Sequence, residues 1–287
     1  MKKRNFVALI LTAALTVASA GCSATSAASQ TPASSAAASG ETVSSAAASP
    51  SGGSQLDEIK QKGVMTVGTE GTYSPFTYHD SKTNQLVGFD VEIAEAVGRQ
   101  LGVKVQFVET KWDSMIAGLD AKRYDVVFNQ VGVTDERKQK YDFSTPYTVT
   151  RAALIVSSDN ASIKTFDDLK GKKSAQSLTS NYGQMAQKYG ATLVGTDGFN
   201  QSADLVLQKR ADATINDDIA YYDYKKQKPD AQLKIAATLN DASQNAALFR
   251  KGSDSFVKAV DDALAKLTSD GTLSKISEKY FGKDVTK

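Results

Sequence analysis

Two short polar clusters hold the residues most able to do chemistry. The first runs Asn129-Gln130-Val131-Gly132-Val133-Thr134-Asp135-Glu136-Arg137. Tyr124 to Phe128 is a β-branched and aromatic run that predicts a strand ending in polar Asn129 and Gln130, and Gly132 lets the backbone come close to whatever sits there. Thr134 suits a helix N-cap. Three residues later, where a capping box would place Glu or Gln, stands Arg137, a cation at the positive end of a helix dipole. Converging backbone N–H groups, dipole and guanidinium would be relieved by an anion. A surface arginine paired with Asp135 or Glu136 is the alternative this window leaves open. The second cluster, Asn216-Asp217-Asp218, closes the apolar strand Ala211 to Ile215. With Asp218 as the N-cap of the next helix, Asp217 is free to point into a cleft; both aspartates as caps and solvent contacts is the other reading.

Two further stretches have the same form. The strand Val64 to Val67 runs into Gly68-Thr69-Glu70-Gly71-Thr72-Tyr73-Ser74-Pro75-Phe76, rich in glycine and hydroxyls at a strand's carboxyl edge, where open α/β sheets bind ligands. Lys173 to Gln176 runs into Ser177-Leu178-Thr179-Ser180-Asn181-Tyr182-Gly183, a second strand-to-helix junction suited to an anion. Trp112 starts a helix just past a strand end; core packing is the plain reading, an aromatic wall the functional one. His79 is the only histidine and Cys22 the only cysteine, which argues against a zinc site and against a histidine- or cysteine-based triad. His79 is expected in a solvent-facing loop.

The elements that must position these clusters alternate. Leu56 to Lys62 reads as a short helix closed by Gly63, and Phe89 opens a helix with Val91, Ala94, Val97 and Leu101 on one face, ended by Gly102. Val103 to Val108 reads as a strand, Trp112 to Leu119 as a helix, Ala152 to Val156 as a strand, Thr165 to Leu169 as a short helix and Tyr182 to Tyr189 as another. An aromatic helix at Tyr221 to Tyr224, a strand at Ala246 to Phe249 and two helices on either side of Gly271 complete the chain. The order strand, helix, strand predicts α/β architecture with a largely parallel sheet.

Of the 287 residues 41% are hydrophobic and 23% charged, and the formal net charge is +2. Lys2, Lys3 and Arg4 precede Cys22, leaving 31 basic against 32 acidic residues from there on, which gives no electrostatic case for nucleic acid. Met1 to Ala20 has the basic, apolar and small-residue order of a secretory signal, and no later run is long and apolar enough to span a membrane. The Ala20-Gly21-Cys22 end resembles a bacterial lipoprotein signal, with residues 1–21 removed and Cys22 lipidated; Ser19 departs from that pattern, and Ala18-Ser19-Ala20 would also serve an ordinary signal peptidase. Ser23 to Ser54 is nearly all Ala, Ser, Thr, Pro and Gly, a tether that as a flexible coil spans on the order of 30 Å. Residues 55–287 are enough for a large core without disulfides, more comfortably as two lobes than one.

Over residues 55–287 the chain resembles type II amino-acid-binding proteins of ABC importers, solute-binding protein family 3. The resemblance rests on an ordered set: 68 to 73, Gly88-Phe89-Asp90-Val91-Glu92, Trp112-Asp113, Thr134 to Arg137, Phe143-Ser144-Thr145-Pro146-Tyr147, Asp270-Gly271-Thr272-Leu273 and Lys279-Tyr280-Phe281-Gly282. It implies a two-lobed periplasmic-binding-protein type II fold, two mixed sheets flanked by helices and joined by a two-strand hinge. Lobe 1 would comprise 55–147 and 244–287, and lobe 2 would comprise 148–243. By the same resemblance Arg137 and the Gly132 N–H would hold a ligand α-carboxylate, Asp217 the α-ammonium, and Thr179, Ser180 and Asn181 would donate to the carboxylate from the second lobe. Tyr73 and Trp112 would be aromatic walls, and Glu70, Asn129 and Gln130 hydrogen-bonding groups. Asn129 and Gln130 replace the small serines of many relatives. Four stretches, 68 to 73, 129 to 134, 173 to 183 and 213 to 217, are most similar to cystine-binding members; glutamine or a basic amino acid stays open. The resemblance implies a monomer without cofactor, catalytic residues or metal, which delivers its amino acid to an ABC permease outside the cytoplasm from a lipid anchor. A dehydratase-like enzyme, with Glu70 its one cleft acid, and a receptor-linked sensor are the rival classes.

Overall fold

The computed structural model describes residues 53–287, so the expected signal, Cys22 and most of the tether lie outside the described residues. The chain opens with α1 (Gln55–Lys62), where the Ser54 hydroxyl accepts from Asp57 N–H, the Asp57 carboxylate accepts in return, and Gly63 at φ 67 ends the helix in the left-handed region. There follow β1 (Val64–Thr69), a small sheet of β2 (Thr72–Tyr73), β3 (Thr77–His79) and β4 (Leu86–Val87), then α2 (Phe89–Leu101), β5 (Lys104–Glu109), α3 (Trp112–Asp120), β6 (Val126–Gly132), α4 (Asp135–Lys140) and β7 (Tyr141–Phe143). The second stretch is β8 (Thr148–Ser157), a 3-10 turn at Phe166–Leu169, β9 (Lys173–Gln176), α5 (Asn181–Lys188), β10 (Thr192–Gly195), α6 (Phe199–Leu207), β11 (Ala213–Asp217) and α7 (Asp218–Gln227). The chain then returns through β12 (Leu233–Arg250) to α8 (Asp254–Ser269) and α9 (Thr272–Phe281).

The main sheet is ordered β10-β9-β11-β8-β12-β6-β1-β5, with β7 beside β12. Each half is a parallel trio, β6-β1-β5 or β10-β9-β11, edged by one long antiparallel strand. Those edging strands, β8 and β12, pair with each other from Leu233 opposite Ser157 to Asn245 opposite Thr148, with irregularities after Ile235 and Thr238. The two expected mixed sheets are thus the two halves of one hydrogen-bonded path, and β8 and β12 are the two connecting strands of a two-lobed α/β fold. Parallel strands need helical crossovers, and these cover both faces.

Sequence patterning located the buried ends of β8 and β12 and not their full length. β12 has 18 residues, and only Ala246 to Phe249 form an unbroken buried apolar run. Its middle, Asn240 to Asn245, is polar because it crosses between lobes with one side near solvent. β10 and α6 were not foreseen; β10 has no fully buried residue and α6 opens on Gly198 with no side-chain cap. His79 ends β3 rather than sitting in a loop, with Nε2 2.9 Å from Glu109 Oε2.

In the first lobe Phe89, Phe128 and Tyr147 are fully buried, the Phe128 and Tyr147 rings stacked at 5.7 Å, with α2, α8 and α9 over them. Around β6, Tyr124 donates its hydroxyl to Met115 O and lies over two glycines; a Cβ on Gly68 would meet its ring at 2.5 Å, and Gly118 lies against its hydroxyl. No shift of a flexible side-chain tip relieves that clash. Gly68→Ala is therefore expected to destabilise the protein by roughly 1–3 kcal/mol through overpacking, read as a lower midpoint in urea unfolding. An unchanged midpoint would show that Tyr124 can move.

Candidate functional site

Four strands end at one place. The carboxyl ends of β1, β6, β9 and β11 bring Glu70, Asn129, Gln130, Gln176, Asn216 and Asp217 to the wall of a single cavity of about 480 Å³, counted with its open mouth. Tyr73, Trp112, Ser180, Asn181, Tyr182 and Phe199 are among the residues that complete it. A parallel strand runs out of ladder partners at its carboxyl end, so polar side chains and free backbone groups gather there.

Asp217 is 2% exposed and is held by three hydroxyls: Thr150 Oγ1 and Tyr182 OH each donate to Oδ1 at 2.5 Å, and Tyr73 OH lies 2.9 Å from Oδ2. Burial raises its pKa although these bonds favour the carboxylate. By backbone position Asp217, not Asp218, is the N-cap of α7, yet its side chain makes no capping bond. Asp218 Oδ1 instead accepts from Ile219 N at 2.9 Å and Arg151 N at 3.3 Å, so Asp217 does face the cavity, as the first reading had it.

Glu70 and Asn129 bind each other reciprocally. Glu70 N donates to Asn129 Oδ1 at 2.8 Å, and Asn129 Nδ2 donates to Glu70 Oε2 at 2.7 Å. Burial pushes the Glu70 carboxyl up to about 7, and the charges of Asp113 and Asp197 add to the shift. Gln130 lines the cavity but its amide faces away, with Nε2 on Asp90 Oδ1 at 2.7 Å and Oε1 accepting from Asn245 Nδ2 at 3.0 Å. Its backbone N–H also donates to Asp90, at 2.6 Å, from a left-handed φ of 49. Asp90 itself is fully buried, and that burial pushes it up to about 7 despite both Gln130 donors.

Arg137 is 8% exposed and makes no ion pair among the described residues, which sets aside the surface pairing with Asp135 or Glu136. Its Nη1 donates to Gly132 O at 2.9 Å, and its guanidinium carbon lies 5.2 Å from the centre of the Trp112 ring. Burial lowers its pKa to about 10. The Thr134 hydroxyl accepts from Arg137 N at 3.2 Å, the cap the sequence predicted. Arg137 and Thr179 border a neighbouring crevice rather than the cavity wall, and Gly132 also lies outside that wall. Gly132 is nevertheless in close approach: an added Cβ would lie 3.2 Å from Asn181 Nδ2.

The hydroxyl donors on the other side are mostly committed. Ser180 caps α5, accepting from Gly183 N and donating to Ser177 O at 2.8 Å, while Thr179 N and Oγ1 both donate to Asp113 Oδ1. The Asn181 amide has no such commitment among the described residues. Trp112 Nε1 is likewise buried without a partner, an N–H whose desolvation an acceptor on a ligand would offset.

Sequence reasoning missed Gln176, Asn216, Tyr182, Phe199, Gly198, Ser177 and Ser202 as wall residues. Asn216 carried the same signal as Asn129, a polar residue ending an apolar strand, whereas Gln176 ends the largely polar β9, Lys173-Ser174-Ala175-Gln176. Phe199 and Ser202 had none, because α6 itself was not foreseen.

The chain belongs to the bacterial extracellular solute-binding proteins, family 3, whose model matches residues 65–283. The L-cystine-binding protein TcyA of Bacillus subtilis (strain 168) is 52% identical over 229 residues, covering 80% of this chain and 85% of TcyA. Among solved structures, the L-cystine solute receptor of Neisseria gonorrhoeae in its unliganded open conformation is 50% identical, covers 82% of this chain and 100% of that one, and overlays with a TM-score of 0.55. An ancestral arginine-binding protein bound to arginine is 36% identical, covers 77% and 99%, and overlays at 0.72. The family is one of binding proteins and not of enzymes.

The two carboxyls near 7 make a pH prediction with a definite sign. Glu70 and Asp90 bind protons more tightly folded, at about 7, than at their ordinary 4.5 and 3.8. Each therefore contributes stability that is full below about pH 4 and is lost as pH rises to about 7, on the order of 3 kcal/mol per group. Glu70→Gln is expected to raise the Tm of the ligand-free protein at pH 8 and to leave it nearly unchanged at pH 4. An equal effect at both pH values would remove Glu70 as the cause.

Proposed function

We propose that this protein is an exported, lipid-anchored receptor that captures L-cystine by closing two lobes over it and hands it to an ABC permease. The observation that carries the reading is the charge pattern of the cavity. Two buried carboxyls, Asp217 and Glu70, line it with no cation beside them among the described residues, and a buried Arg137, without an ion pair among those residues, stands behind the end bounded by Trp112 and Asn181. L-Cystine carries two ammonium and two carboxylate groups. Its one ammonium would pair with Asp217 and the other with Glu70, while an α-carboxylate would take the free donors of Arg137, helped by the Gly132 N–H and the Asn181 amide. Thr179 and Ser180 contribute by shaping the α5 turn, since their hydroxyls already have partners. Tyr73 and Trp112 are the walls, and Asn129 orients Glu70. The identity to TcyA and to the gonococcal receptor supports cystine as the solute.

A basic amino acid is the second reading, because it too would set one cation on Asp217 and another on Glu70, and an arginine-bound relative shares the fold.

The lobe limits follow the connecting strands: 55–147 with 244–287 as lobe 1 and 148–243 as lobe 2, since β8 begins at Thr148 and β12 passes Thr148 at Asn245. Closure is driven by differential affinity. A ligand touching both lobes favours the closed state, and that state presents a composite surface to the permease. The receptor acts as a monomer on the outer side of the membrane, held by a lipid on Cys22.

Calorimetric titration with L-cystine, glutamine, arginine and histidine tests the solute. Saturable binding of cystine alone is expected; arginine in its place would favour the second reading, and silence from all four would end the amino-acid assignment. Arg137→Ala is expected to weaken binding by about 100-fold or more with the far-UV spectrum unchanged. For the anchor, Cys22→Ala should move the protein from the membrane fraction to the soluble one, whereas a protein that is soluble before the change has been cut by an ordinary signal peptidase.

A further inference from the structure

Another group of contacts joins the lobes outside the cavity. Asp113, in the first turn of α3, reaches the turn that leads into α5: its Oδ1 accepts from Thr179 N at 2.9 Å and Thr179 Oγ1 at 2.8 Å, and its Oδ2 accepts from Leu178 N at 3.3 Å. Two residues earlier, Lys111 Nζ lies 2.7 Å from Asp197 Oδ2 in the loop between β10 and α6. α3 packs on β1 and β6, whereas the α5 turn and the Asp197 loop belong with β9 and β10. Separation of the lobes must break all four bonds. Neither Asp113 nor Lys111 lines the cavity, but Trp112 between them does.

We infer that Asp113 is an affinity-determining residue that does not touch the solute: its carboxylate latches the α5 turn to α3 as the cleft closes and so slows the solute's escape. The inference rests on the closure mechanism proposed above. Magnitudes favour Asp113 over its neighbour. The Lys111–Asp197 pair is more than half exposed on both sides, where an ion pair contributes little. Asp113 instead gathers three donors, two of them backbone N–H groups held by the turn, in charge-assisted bonds that tolerate little misplacement. Because these bonds form only in the closed state, they act on dissociation and not on encounter.

The same geometry admits an opposite role, in which Asp113 occupies Thr179 donors that a solute carboxylate would use. Two observations speak against it. Arg137 makes no ion pair with Asp113, and the Asp113 bonds lie at the exposed rim.

The test uses the full chain and its Asp113→Ala, Asp113→Asn, Lys111→Asp and Lys111→Asp/Asp197→Lys variants, with stopped-flow kinetics for whichever of the four amino acids the unaltered protein binds. Asp113→Ala is expected to speed dissociation about tenfold with the association rate within about twofold, and Asp113→Asn to fall between. Lys111→Asp should speed dissociation about threefold and the charge swap should restore it. Tighter binding by Asp113→Ala would overturn the latch in favour of competition for Thr179, and an unchanged dissociation rate would overturn it outright. Spin-label distances between the lobes, measured without solute and with it, give a readout that does not need the solute to be cystine. A smaller closed fraction in Asp113→Ala than in the unaltered chain supports the latch, and equal closed fractions, or none in either protein under any condition, count against it. If the unaltered protein binds none of the four amino acids, the functional reading fails, and these distances alone decide the latch.

Discussion

A carboxylate kept out of water without a cation is costly, and Asp217 is in that position. Its three hydroxyl partners come from widely separated parts of the chain: Tyr73 from the first lobe, Tyr182 from the start of α5, and Thr150 from a connecting strand. The Tyr73 hydroxyl reaches it from the other lobe. This arrangement thus concentrates negative charge at a cavity whose remaining need is a cation. Glu70 repeats the pattern with Asn129 as its partner, and Arg137 supplies the complementary case of a buried cation without an anion among the described residues. A zwitterion would neutralise several of these charges together, and the function proposed above would tie that recognition to closure.

Behind Asp217 the hydrogen bonds continue into the connecting strands. Thr150 Oγ1, which donates to Asp217, accepts from Asn245 Nδ2 at 3.3 Å; Asn245 also reaches Gln130, and Gln130 holds Asp90 through both its backbone and its side chain. Thr150 is on β8 and Asn245 on β12, so this buried chain of polar groups passes through both strands that join the lobes. Low local dielectric strengthens each bond and makes any break expensive, which makes the crossing point specific in geometry. Gln130 can serve there because its left-handed backbone turns the amide toward the hinge instead of the cavity.

That backbone angle explains why Gln130 was legible as a site residue and illegible in its task. Strand-end position marked it, along with Asn129 and Asp217, as a polar group that an apolar run delivers to a sheet edge. The same position cannot say whether the amide points to a ligand or to Asp90, because a single residue's φ reverses the direction. Thr179 and Ser180 are similar: the hydroxyl-rich turn was evident, but Asp113 and the α5 cap already hold those hydroxyls. Arg137 was singled out by its place at a helix start where a carboxylate would be usual, and its burial without a counter-ion accords with that oddity.

By itself the sequence determined the alternation of strands and helices, the α/β class, the caps at Thr134 and Gly63, the strand ends that carry polar residues, and the family. Each of these depends on periodicity, on local backbone chemistry or on an ordered set of short motifs, all of which survive in one dimension. Tertiary structure alone decided the length of β8 and β12, since the polar start of β8 and the polar middle of β12 look like loop until they pair with each other. It also decided the presence of Phe199 in the cavity wall and of Asp113 across its rim. Those outcomes depend on contacts between residues tens of positions apart, and such contacts exist only once two lobes have folded and met.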